Sequence, residues 1–103
     1  MREGSGTGGG RLAYAYARAG KRDSASAVLN DLERRFRSEY IPAYSIAVAY
    51  AGLGDIDSAM AWLEKAIEMH DPNIALYFRS DFMLDNLRPD PRFQRLLRRV
   101  GLG

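Results

Sequence analysis

Residues 50–66 read Tyr-Ala-Gly-Leu-Gly-Asp-Ile-Asp-Ser-Ala-Met-Ala-Trp-Leu-Glu-Lys-Ala. Gly54 divides this stretch, since glycine tolerates the positive φ that a tight turn between helices demands. Asp55 and Asp57 follow it, and aspartate at a helix start caps free backbone N–H groups. Beyond them Ala59, Leu63 and Ala66 fall on one face at helical spacing. The stretch reads as the end of one helix, a short turn, and a second helix over about Ser58–Met69.

The same pattern occurs earlier in the chain. Offset by 34 residues, Leu12–Leu29 aligns with Ile46–Leu63. Ten of those eighteen positions are identical: Ala13/Ala47, Ala15/Ala49, Tyr16/Tyr50, Ala17/Ala51, Gly20/Gly54, Asp23/Asp57, Ser24/Ser58, Ala25/Ala59, Ala27/Ala61 and Leu29/Leu63. Chance would give about two in an alanine-rich chain. Helix propensity alone explains neither the fixed offset nor the paired glycines.

A repeat of 34 residues with these positions resembles the tetratricopeptide repeat, an antiparallel helix pair. The family places a small residue in the first helix, an aromatic three positions on, a turn glycine, then a small and a large apolar residue in the second helix. In the second repeat these are Ala47, Tyr50, Gly54, Ala59, Leu63 and Ala66. In the first they are Ala13, Tyr16, Gly20, Ala25 and Leu29, with Leu32 where the family usually has alanine. The alanines allow close helix approach, and the tyrosines fill the wider space beside them. The fold expected is all-α, a short stack of helix pairs with repeats at about 11–39 and 40–72.

The third unit, residues 73–102, departs from the pattern. The offset puts Asp81, Leu84, Arg88, Phe93, Leu97 and Val100 at the signature positions, so the small residues and the glycine are gone. An apolar stripe persists at Phe93, Leu96, Leu97 and Val100. Terminal repeats often diverge because they cap the stack. The reading is a helix at Asn73–Arg79, a short helical turn at Phe82–Leu87 and a closing helix at Pro91–Val100. Asp71-Pro72 and Asp90-Pro91 each mark a helix start. The run from Asp81 to Leu102 is also similar to the C-terminal repeat region of bacterial multidomain regulators, which implies a scaffolding or sensing role.

Residues 1–10 contain Gly4-Ser-Gly-Thr-Gly-Gly-Gly10, a flexible-linker composition. No apolar stretch follows Met1, so no signal peptide is expected, and the default location is the cytoplasm. No run approaches the roughly 18 to 20 apolar residues of a membrane span. The absence of cysteine excludes a disulfide framework, a thiol nucleophile and cysteine-ligated zinc. The net charge of +2 is only mildly basic, whereas nucleic-acid binders concentrate positive charge on one face.

Candidate chemistry is sparse. His70 is the single histidine and sits near a helix C-terminus, where it complements the dipole. Asp55 and Asp57 suggest paired carboxylates, but Asp23 repeats the position of Asp57, which favours architecture. No cofactor or metal is expected, and the chain reads as non-catalytic. Trp62 reads as a core or inter-repeat residue. Arg34, Arg35 and Arg37 form one basic cluster, and Arg88, Arg92, Arg95, Arg98 and Arg99 form another. The second suggests nucleic-acid association as an alternative, against an amphipathic helix with a solvated basic face.

The function implied by the resemblance is protein binding along the surface lined by first helices. The expected protein-binding residues are Tyr14, Arg18, Tyr44, Ser45, Val48, Ala51 and Phe78, with Ala17 and Phe82 beside them. Such a groove would suit an amphipathic helix or an extended apolar peptide. The shortened first helix should leave Leu29 and Leu32 partly uncovered, and the groove should be open and apolar. Together these surfaces suggest a homodimer.

Overall fold

The computed structural model describes residues 8–39 and 41–101. Its elements are α1 (Gly8–Arg18), α2 (Arg22–Phe36), α3 (Ala43–Leu53), α4 (Ile56–Glu68), α5 (Pro72–Tyr77), a 3₁₀ helix (Phe82–Leu87) and α6 (Pro91–Arg99). There is no strand among the described residues.

The repeat seen in the sequence is a repeat in the backbone. Gly20 and Gly54 both take φ of +81°, and the hydrogen bonds around them match. Lys21 N donates to Tyr16 O, and Asp55 N to Tyr50 O; Gly20 N donates to Ala17 O, and Gly54 N to Ala51 O. This is the left-handed closure that satisfies the last carbonyls of a helix. Ala13 packs against α2, and Ala47 and Ala59 are buried where α3 meets α4.

Aspartates start the later helices. Asp55 accepts from Ser58 N, Asp71 from Asn73 N, Asp81 from Met83 N and Asp90 from Arg92 N. Asp71 is buried and also accepts from Tyr44 N at 3.1 Å. One carboxylate thereby holds the starts of α3 and α5 together.

α3 is the central helix, packed on α1, α2, α4 and the 3₁₀ helix. Its sequence contains no charged residue, so it has no face that belongs in water. Residues from Ala43 to Ala49 are all buried. Between the repeats, Phe36 and Trp62 meet edge to face at 5.0 Å, a pairing worth about 0.5–1.5 kcal/mol beyond area burial. Trp62 is thus an inter-repeat residue.

The structure departs from the sequence reading at the glycine run. Gly8–Gly10 form the first turn of α1, and Gly9 and Gly10 are buried. The linker reading does not hold for these three residues, and its remainder, residues 1–7, lies outside the described residues. The cause is a close approach of α1 and α3. A Cβ built on Gly10 would stand 2.8 Å from the Cα of Ser45, and one on Gly52 would stand 2.9 Å from the Cα of Tyr14. The two helices run the same way with backbone nearly against backbone.

That extra turn changes a second expectation. Leu29 and Leu32 are covered within the chain, in a cluster with Ala13, Ile41, Ile46 and Ala49. The uncovered patch expected beside the first helix is absent.

Candidate functional site

The third unit decides where a binding surface lies. α5 stops at Tyr77, and the chain bends before resuming as the 3₁₀ helix at Phe82. Arg88 secures the bend. Its guanidinium donates to the carbonyls of Arg79 at 2.9 Å and Asp81 at 3.1 Å, and to the Asp85 carboxylate at 2.9 Å. Asp81 accepts the Tyr44 hydroxyl at 2.7 Å. Burial first, and this hydrogen bond second, push the Tyr44 phenol far above its ordinary pKa.

The bent segment is pressed into the groove that the sequence reading left open. Tyr44 is 2% and Phe78 0% exposed, and Ser45, Val48 and Ala51 are equally buried. Tyr44, Val48, Ala51 and Phe78 share a core with Met83, Leu84, Leu87 and Phe93. Phe78 and Phe93 meet at 5.0 Å. The expectation that Tyr44, Ser45, Val48, Ala51 and Phe78 face a ligand is therefore corrected. The chain's own third unit occupies that face, and Ser45 is covered by Gly10 of α1. The apolar groove that argued for a homodimer is filled from within the same chain.

Tyr14 and Arg18 do remain at the surface. They line a cleft of about 460 Å³ with Ala51, Phe82, Asp85 and Asn86. Tyr14 and Phe82 meet edge to face at 6.2 Å. Phe82 is 65% exposed, unusual for a phenylalanine. Beside it Arg11 lies 5.8 Å above the ring of Tyr77. Asn86 donates to the Ala51 carbonyl at 3.0 Å and fixes the cleft floor.

The repeat geometry is now complete: two helix hairpins, each closed by a positive-φ glycine, stacked through Phe36 and Trp62. Residues 43–70 match the family model described as tetratricopeptide repeat. The chain carries a tetratricopeptide repeat. The match covers α3 and α4, the helix pair that contains the opening stretch. No curated protein and no solved structure matches the chain. Tetratricopeptide repeats generally mediate protein interactions, so the cleft beside the repeat is the candidate site.

The remaining candidates have structural partners. Asp55 caps α4 through the Ser58 N–H and hydroxyl. Asp57 accepts from Arg92 at 2.8 Å. Arg92 also grips Asp90, and that side-chain bond, with the Arg92 backbone N–H, lowers the Asp90 pKa to about 2. Arg99 reaches Glu64 at 3.5 Å and Glu68 at 4.0 Å. Three of the five C-terminal arginines are thus matched by carboxylates, and these contacts fasten α6 to α4. Arg34 and Arg35 are likewise paired with Asp31. His70 is exposed, with φ of +56°, two residues past the end of α4.

Sequence reasoning found Tyr14 and Arg18 and named Phe82 as a neighbour. It missed Asp85 and Asn86, which carry no periodic signal. It also missed the burial of α3, for which the charge-free run from Ile41 to Gly54 was the available signal.

Proposed function

We propose that this chain is a non-catalytic protein-binding module and that the cleft beside Phe82 receives a segment of a partner protein. The observation that carries the reading is Phe82 itself. A large aromatic held out at 65% exposure, braced by Tyr14 and set on a clasped bend, has the character of an interface anchor. A pocket with few polar groups around an aromatic suits a side chain of a partner. Capture from the cell of origin with the wild-type chain and with Phe82→Ala tests this. A protein retained by the first and lost by the second supports the cleft; equal retention by both contradicts it.

The proposal places the chain as part of a larger bacterial regulator acting in the cytoplasm, on the resemblance of residues 81–102. Nucleic-acid association is the weaker alternative, because most of the arginines it would use are paired with carboxylates.

A second reading is self-association at the other end of the stack. Leu76 is 66% exposed, and Met69 is exposed as well. Nearby is an apolar cleft of about 350 Å³ lined by Ile67, Pro72, Ile74, Ala75 and Val100 among others. Sedimentation at micromolar concentration decides it. A mass near the 11.5 kDa of one chain throughout would reject the dimer.

A further inference from the structure

The wall of the Phe82 cleft carries a spacing that describes its occupant. α1 presents Arg11, Tyr14 and Arg18 at i, i+3 and i+7, a single helical face. The acids and bases of this region are unevenly committed. Asp85 is paired with Arg88, and Asp81 holds the Tyr44 hydroxyl and the Met83 N–H. Arg11 and Arg18 have no ion pair among the described residues. Arg11 rests on the Tyr77 ring, and Arg18 borders the cleft. The wall is therefore an aromatic centre, Tyr14 with Phe82, flanked by two guanidiniums without a carboxylate of their own.

Seven residues at 1.5 Å each set the two arginine Cα positions about 10.5 Å apart along α1. An extended peptide puts same-side residues about 6.8 or 13.6 Å apart, and neither matches. A helix repeats its face every seven residues at about 10.5 Å. We infer that the cleft takes an amphipathic helix of a partner protein, with acidic residues at i and i+7 and large apolar residues at i+3 and i+4. The apolar pair would seat on Phe82 and Tyr14, and the acids would meet Arg11 and Arg18. This rests on the preceding reading of the cleft and adds the chemistry and shape of the partner segment.

The test is selection from two displayed peptide libraries, one on a helical scaffold and one unstructured. The full-length chain is the target, and Phe82→Ala serves for counter-selection. Phe82 and Arg18 are both exposed, and circular dichroism of each variant checks that the fold is kept. The expected result is Phe82-dependent binders from the helical library, with an acidic pair seven residues apart around an apolar pair. Arg18→Glu should weaken the best of them about tenfold, since rim charge pairs are individually modest. Lysine at the matching acidic position of the peptide should restore binding to Arg18→Glu. Phe82-dependent binders that are extended, or that lack the acidic pair, would overturn this inference and leave the cleft reading standing. A selection that yields no Phe82-dependent binder would overturn both.

Discussion

Replacing Gly10 with alanine puts the close approach of α1 and α3 to a quantitative test. At an exposed helical site this change stabilises by about 1 kcal/mol, because alanine is the better helix former. At Gly10 the new methyl would stand 2.8 Å from Ser45 Cα. The obstacle is backbone, so no side-chain rotation relieves it, and α1 must move away from α3. Overpacking costs about 1 to 3 kcal/mol, and a backbone obstacle belongs at the upper end. Set against the propensity gain, the net loss is about 2 kcal/mol. A domain of this size loses about 4–8 °C of Tm per kcal/mol, so the expected drop is about 8 to 16 °C. Thermal and urea unfolding followed by circular dichroism measures it. A Tm equal to or above that of the wild type would refute the contact and return Gly10 to the linker.

Other expectations follow from the same packing. Ala59→Leu forces a larger side chain between α3 and α4 and should cost about 1 to 3 kcal/mol; an unchanged Tm would reject the repeat assignment there. The buried Tyr44 phenol keeps its proton in the folded chain to a higher pH than in the unfolded chain. Its contribution is therefore complete below about pH 10 and declines as pH rises beyond it, by up to about 1.4 kcal/mol per pH unit. Urea titrations across that range should show a shallower decline for Tyr44→Phe, and an unaltered slope would contradict the burial of that hydroxyl. The purified chain should turn over no generic esterase, phosphatase or nucleotide substrate. Turnover lost on mutating His70 or Asp55 would overturn the non-catalytic reading.

The fold was legible where physical constraints repeat. Gly20 and Gly54 mark the same left-handed closure twice, and Asp71-Pro72 and Asp90-Pro91 announce helix starts with a cap and a missing donor. These are local rules, and the local sequence satisfies them. The site was harder because it depends on how the third unit meets the first two. The distal charge-free helix α3 signals a helix buried on all sides, yet only the path of residues 78–87 says what covers it. Gly8–Gly10 illustrate the opposite difficulty. Glycine raises flexibility when alone and permits close helix approach when a partner backbone is near. Composition cannot separate the two. Tyr14 and Arg18 were identified from their helical face, but Tyr44, Val48 and Phe78 were assigned to the surface by treating the groove as open. The bend at Ser80 and Asp81, clasped by Arg88, closes it.

The cleft as a protein-binding surface is tested most directly by photocrosslinking from position 82. A photoreactive phenylalanine analogue replaces Phe82 in the chain expressed in its cell of origin, and the same analogue replaces exposed Asn30 on α2 as a control. The account predicts a discrete protein adduct from position 82 that is absent from position 30 and reduced by Arg18→Glu. Irradiation that gives no adduct from position 82, or the same adducts from both positions, would contradict it.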